Sequence, residues 1–124
     1  MKRLTVEQII QLHQALIEKS GGLAGLRDRA LLESSANTPF MTFDGCPVYP
    51  TLLAKAARLG YALVKNHAFV DGNKRVGVLA MVVFLEINGV QVQCTDSELV
   101  SLGLGLADGS IDDTALLQWL VAHC

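Results

Sequence analysis

Nine consecutive residues, His67-Ala68-Phe69-Val70-Asp71-Gly72-Asn73-Lys74-Arg75, gather an imidazole, a carboxylate, an amide, an ammonium and a guanidinium around one glycine. The segment lies between two apolar stretches and reads as a loop that enters the N-terminus of a helix. Unpaired backbone N–H groups point outward at such a terminus, and the helix dipole favours an anion there. Gly72 permits a tight turn and lets a bound group approach the backbone. Lys74 and Arg75 put two positive charges where the dipole disfavours them, at a cost of a few tenths of a kcal/mol unless an anion sits nearby. A polyphosphate would resolve that local conflict. Asp71 is an oxygen ligand suited to Mg²⁺, which one carboxylate and substrate phosphates commonly hold. His67 could take a proton from an attacking hydroxyl.

Each of these residues also has a plainer reading. His67 could simply end a helix, Asp71 could cap one, and Lys74 and Arg75 could be solvated. Phe69 reads as a core anchor in either case. Singly, the plain readings are the commoner ones. No packing demand, however, requires all of these types together in this order.

Around the segment, the spacing predicts helices. Thr5 and Gln8 form a capping box ahead of Ile9, Ile10, His13, Leu16 and Ile17, which share one helical face and are stopped by Gly21-Gly22. Asp28 caps a short second helix carrying Leu31 and Leu32, closed before Pro39. Thr38 to Pro50 holds all three prolines, Gly45 and the aromatics Phe40, Phe43 and Tyr49, so it reads as a loop or short hairpin. A strong helix begins at Thr51 and runs toward Asn66 and His67. The next, from about Asn73 to Ile87, has apolar residues on all faces and is expected to be central and fully buried. Val90, Val92 and Cys94 suggest a short extended segment. Thr95 and Glu98 make a second capping box before Leu99 to Leu106. Ser110 or Asp112 caps a last helix with Leu116, Trp119 and Leu120. The sum is an all-α bundle around a buried central helix, with a short flap, and a single domain over residues 1–124.

Composition removes several function classes. Ten Lys and Arg against twelve Asp and Glu give a net charge of −2, with no basic footprint for a nucleic acid as primary ligand. Hydrophobic residues make up 51%, so the chain has ample surface for a core, and some for a partner. The longest nearly uncharged apolar run, Val76 to Leu85, is about half of what a membrane span needs. Cys46, Cys94 and Cys124 form no Cys-x-x-Cys pair and read as free thiols, which suits a reducing cytoplasm.

His67 to Arg75 resembles the His-x-Phe-x-(Asp/Asn)-(Ala/Gly)-Asn-Lys-Arg motif of the death-on-curing (Doc) branch of the Fic fold. Gly25-Leu26-Arg27-Asp28 with Leu31-Leu32-Glu33-Ser34 is similar to that family's early signature. Tyr49-Pro50, Lys55-Ala56-Ala57, Asn66, Phe84-Leu85, Asn88-Gly89 and Trp119-Leu120 extend the likeness over nearly the whole chain. Ala68 and Val76 depart from commoner residues without touching a catalytic position.

The resemblance implies a Fic/Doc helical fold and the toxin of a bacterial type II toxin–antitoxin pair. Such a toxin transfers the γ-phosphate of ATP to a hydroxyl of elongation factor Tu and inhibits protein synthesis. By position, His67 would be the general base and Asp71 the Mg²⁺ ligand. Asn73 and the backbone at Gly72 would hold phosphate oxygens, and Lys74 and Arg75 would neutralise the triphosphate. The partner implied is a Phd-type antitoxin whose disordered tail folds as a helix into a groove, sought around Leu99 to Leu106 and the terminal helix. Phe43 and Tyr49, with Phe40, would dock the target segment on the flap.

Lys74 separates two chemistries. AMP-transferring members of the wider Fic family resemble this chain but carry glycine at that position, together with a further arginine after the motif. Here Val76, Gly77 and Val78 follow. Both departures favour a kinase over an AMP transferase. No Glu is followed by Gly or Asn, as an inhibitory helix of the Fic type would require, so restraint would come from another chain. The remaining alternative is a non-catalytic module that binds nucleotide or antitoxin.

Overall fold

Six helices form where apolar residues recur at helical spacing behind a capping residue. The computed structural model describes residues 1–124. Its helices are α1 (Val6–Ser20), α2 (Arg29–Asn37), α3 (Leu52–Asn66), α4 (Asn73–Ile87), α5 (Asp96–Asp108) and α6 (Asp113–His123). Thr5, Asp28, Thr51, Thr95 and Asp112 each accept the backbone N–H three residues on, and the boxes at Thr5/Gln8 and Thr95/Glu98 are complete. Each such cap contributes about 1 kcal/mol. Asp112, not Ser110, therefore starts α6. The fold is all-α, as expected. No helix is long and apolar enough to cross a membrane.

Between α2 and α3 the chain makes a 3-10 turn at Thr38–Phe40 and an antiparallel hairpin, β1 (Thr42–Phe43) with β2 (Cys46–Pro47). Asp44 and Gly45 at its tip have φ of 52° and 78°, the pair of positive values that a two-residue type I′ turn needs. The flap is thus a hairpin, and Phe43 on it is 79% exposed. Phe40 was expected to join Phe43 and Tyr49 as a substrate contact, but it packs on the core. Its ring meets Phe84 edge-on at 5.9 Å, and the Arg3 guanidinium covers it at 3.7 Å.

The core is organised by two helices rather than one. α3 and α4 pack against each other most extensively. α3 also meets α2, α5, α6 and the 3-10 turn, while α1 and α5 lie on α4. Leu63, Val76, Met81, Phe84, Leu85, Leu106, Leu116 and Leu120 are fully buried between them. Contrary to expectation α4 is not covered all round. Leu79 and Val82 are half-buried where a groove of about 380 Å³ opens between α1, α4 and α5, and Val83 is half-buried outside it. Val90 to Cys94 also forms no strand; Gln93 N–H donates to His123 O at 2.7 Å, and the run has no strand partner.

Gly77 sets how closely α3 and α4 approach. A Cβ there would lie 2.6 Å from Val64 Cγ2 and 3.1 Å from Gly60 O. Helix propensity alone would favour Ala by about 1 kcal/mol, but the clash meets a stiff, buried β-branched side chain and a backbone carbonyl. Overpacking of this kind costs about 1–3 kcal/mol. Gly77→Ala is therefore expected to be destabilising by up to about 2 kcal/mol net in urea titrations. Making the same change in a Val64→Ala background should cost less.

Candidate functional site

The loop between α3 and α4 starts and ends on left-handed residues. His67 closes α3 at φ 50°, ψ 50°, and Gly72 opens α4 at φ 77°, ψ 18°. A non-glycine residue in that region costs about 1–2 kcal/mol, so something must hold His67 there. Arg27 does so, donating from Nε to His67 O at 2.9 Å and from a second guanidinium nitrogen to the same oxygen. Ala68 O accepts from the N–H groups of Arg27 (2.8 Å) and Asp28 (2.9 Å), and Val70 N–H donates to Gly25 O at 3.0 Å. The stretch Gly25 to Asp28 is thus a backbone clamp on the loop.

Asn73 completes the clamp from within. Only 7% exposed, it accepts Phe69 N–H on Oδ1 and donates from Nδ2 to Phe69 O, both at 3.0 Å. Its Nδ2 also faces His67 Nδ1 at 3.5 Å, too long to fix the ring. His67 itself is exposed. On the α1 side, His13 is 3% exposed, stacks on Phe69 at 3.9 Å and lies 2.7 Å through Nε2 from Asp71 O.

Asp71 holds the turn through both carboxylate oxygens. Oδ1 accepts Gly72 N–H at 2.8 Å and Oδ2 accepts Leu23 N–H at 3.0 Å. The Leu23 bond, then the Gly72 bond, with smaller help from Arg75 and His13, hold its carboxyl below the usual carboxylate range. Arg75 reaches back to α1, donating to Ser20 Oγ and Gly21 O at 3.0 Å each, with Asp71 Oδ2 4.0 Å away. A cation suits that spot, the negative end of α1.

What remains free is the mouth of α4. It is the one α-helix without a side-chain cap, and the N–H groups of Asn73, Lys74 and Arg75 donate to no group of the chain. Lys74 is exposed and pairs with no carboxylate. A Cβ on Gly72 would stand 3.3 Å from both Arg75 and Ile17, so glycine also keeps this floor open.

With the geometry in place, comparison with known proteins decides the lineage. Residues 3–85 match the model of the Fic/DOC family. The chain belongs to the Fic/Doc family. The curated protein named Protein kinase doc, from Escherichia phage P1, is 32% identical over 97% of this chain and 94% of its own length. Toxin Doc of Mycolicibacterium smegmatis is 47% identical over 58% of this chain, and the match spans 55% of that relative's length.

The Doc-type motif is therefore gathered at one place, but with its labour divided differently from the expectation. His67 and Lys74 are exposed on either side of Gly72, which opens α4. Asn73, expected on phosphate oxygens, is hydrogen-bonded to Phe69, and Arg75, expected to neutralise the triphosphate, reaches the end of α1. Phe43 and Tyr49 lie on and beside the flap; Tyr49 is half-buried, and its carbonyl accepts from Lys55 Nζ. His13, Leu23 and Arg27 were not singled out as site residues in the sequence. The signals were a histidine on an otherwise apolar face of α1 and the place of Arg27 in the early signature; nothing marked Leu23.

Because Asp71 titrates lower folded than unfolded, its contribution to stability is present above the unfolded value of about 3.9 and lost as pH falls through the folded one. Asp71→Asn should therefore be less stable than wild type at neutral pH. That difference should begin to shrink below about pH 4 and vanish only once the pH is below the lowered folded value. Thermal melts of both proteins across pH 2 to 7 check the sign.

Proposed function

We propose that this chain is the toxin of a type II toxin–antitoxin pair and transfers the γ-phosphate of ATP to a protein hydroxyl, with elongation factor Tu as the target. The observation that carries this reading is the pairing of an uncapped helix N-terminus with the unpaired ammonium of Lys74. The relative named a protein kinase, matched over nearly its full length, supports it.

The residues present fit a Mg²⁺-bound triphosphate. The open N–H groups at Asn73 to Arg75 would receive phosphate oxygens, and Lys74 would neutralise their charge. Asn73 would act through its backbone, and Arg75 by fixing Asp71 and α1. No three His, Cys, Asp or Glu side chains converge, so Asp71 alone would hold the metal, as suits an ion shared with substrate phosphates. When bound, Mg²⁺ would spread the charge that develops on the transferring group. The target hydroxyl attacks phosphorus, the bond to the bridging oxygen breaks, and ADP leaves. His67 takes the hydroxyl proton on Nε2, the ring nitrogen turned away from Asn73. Positioning and electrostatics of this kind are most of what phosphoryl transfer asks of a protein.

The groove between α1, α4 and α5 fits the antitoxin. It is lined by Leu16, Val78, Leu79, Val82 and Leu99, with Lys74 and Arg75 at one rim. An amphipathic helix from a Phd-type partner would bury its apolar face there and bring acidic residues to the rim. The groove uses Leu99, Val100 and Gly103 of the stretch expected to form it. Leu102 and Leu106 belong to the core, and α6 takes no part.

The purified protein, incubated with elongation factor Tu and ATP labelled at either the α- or the γ-phosphorus, should transfer only the γ-label. His67→Ala should lower kcat by about 10²–10⁴, and Lys74→Gly should weaken transfer. Appearance of the α-label would replace the kinase reading with AMP transfer. Absence of any transfer, with growth inhibition unchanged in His67→Ala, would point to a binding module.

A further inference from the structure

The peptide between Asp71 and Gly72 can face two ways, and the choice decides whether the mouth of the site presents N–H or C=O. In a trans peptide the two groups point in opposite directions. Here the carbonyl of Asp71 is turned into the protein, where His13 Nε2 meets it at 2.7 Å, and Gly72 N–H turns toward the Asp71 carboxylate at the mouth. The local restraint on this orientation is the Asp71 carboxylate, whose Oδ1 accepts Gly72 N–H at 2.8 Å. Gly72, at φ 77°, has no Cβ to resist a flip.

We propose that His13 is a positioning residue that locks this peptide, keeping the carbonyl inward so that no backbone acceptor faces a bound phosphate. The inference rests on the reading that the mouth of α4 binds the phosphates of ATP. A carbonyl only accepts, so Nε2 must carry the hydrogen, and the geometry fixes the tautomer. The imidazole plane is held in turn by Phe69, parallel within 11° at 3.9 Å, and Asn73 pins the Phe69 backbone from both sides. A Cβ on Gly72 would sit 3.5 Å from His13 Nε2 and 3.3 Å from Ile17 Cδ1, which shows how closely this peptide lies on α1. Without the lock, a flipped Asp71 carbonyl would turn its oxygen toward the phosphates. One repulsive acceptor would be gained at the mouth, which for a charged ligand amounts to about tenfold or more in affinity.

Two substitutions of like polarity separate this role from packing. The side-chain nitrogen of His13→Gln reaches the position of Nε2, whereas that of His13→Asn stops at the position of Nδ1. Calorimetric titration with ATP and Mg²⁺, steady-state kinetics, thermal melts and crystal structures of both variants form the test. His13→Gln should stay within about threefold of wild type in KM for ATP, whereas His13→Asn should raise KM and Kd about tenfold, with the Asp71–Gly72 peptide flipped. Equal nucleotide affinity in the two variants, with the peptide unflipped in His13→Asn, would overturn the proposal. Should His13→Asn fail to fold, nitrogen-15 NMR of wild-type His13 decides. A slowly exchanging Nε2–H is expected, and a neutral ring protonated at Nδ1 instead would refute the lock. If wild-type protein binds no ATP, the functional reading fails, while peptide orientation and the NMR signal still judge the lock.

Discussion

Everything at this site depends on where the carbonyls of a single loop are sent. Between His67 and Gly72 the backbone must reverse direction with only a single antiparallel bridge, Phe69 to Leu26, so most of its acceptors need donors from elsewhere. Arg27 takes the first carbonyl, the Arg27 and Asp28 amides the second, Asn73 the third, His13 the fifth and Val76 the last. With acceptors drawn inward, donors are left facing out at the mouth of α4. The anion-seeking character of that mouth therefore comes from the inward face as much as from the helix dipole. Charged side chains alone would not create it, since one of the two basic residues there is spent on α1.

The scaffold behind the loop is the close pair α3 and α4, brought together where Gly77 lies against Val64 and Gly60. That approach fixes the distance the loop must span and buries Phe69, the residue on which the loop pivots. α1 then closes the other side, touching the loop through His13 and the end of α4 through Arg75. The hairpin stands apart from this frame and leaves Phe43 in solvent, joined to the site only through the chain leading into α3.

Local signals carried much of this into the sequence. The cap at Thr5 with Gln8, the cap at Thr95 with Glu98, the stop at Gly21 and the start of α4 directly after Gly72 all act within a few residues, so spacing reveals them. The motif segment was legible for the same reason. Partners were not. Asn73 and Arg75 are of types that suit a phosphate, and only the fold shows that a backbone amide of Phe69 and the end of α1 claim them first. Phe40 fell in a stretch rich in turn residues, yet its neighbour is Phe84, far along the chain. α4 looked fully buried because its sequence is apolar all round. The groove opens between α1, α4 and α5, a property of no helix alone.

The bond between His13 and Asp71 joins residues 58 positions apart, and that between Leu23 and Asp71 spans 48. Contacts of such separation form only after the intervening chain has been gathered, at an entropic cost that local helix formation does not meet. The helical hairpin of α3 and α4 can therefore arise early without an ordered mouth. The mouth acquires its shape only when α1 docks, and loses it if α1 alone detaches in a local opening. Competence at this site is a late property of the fold, so a partly folded chain carries the motif without the chemistry.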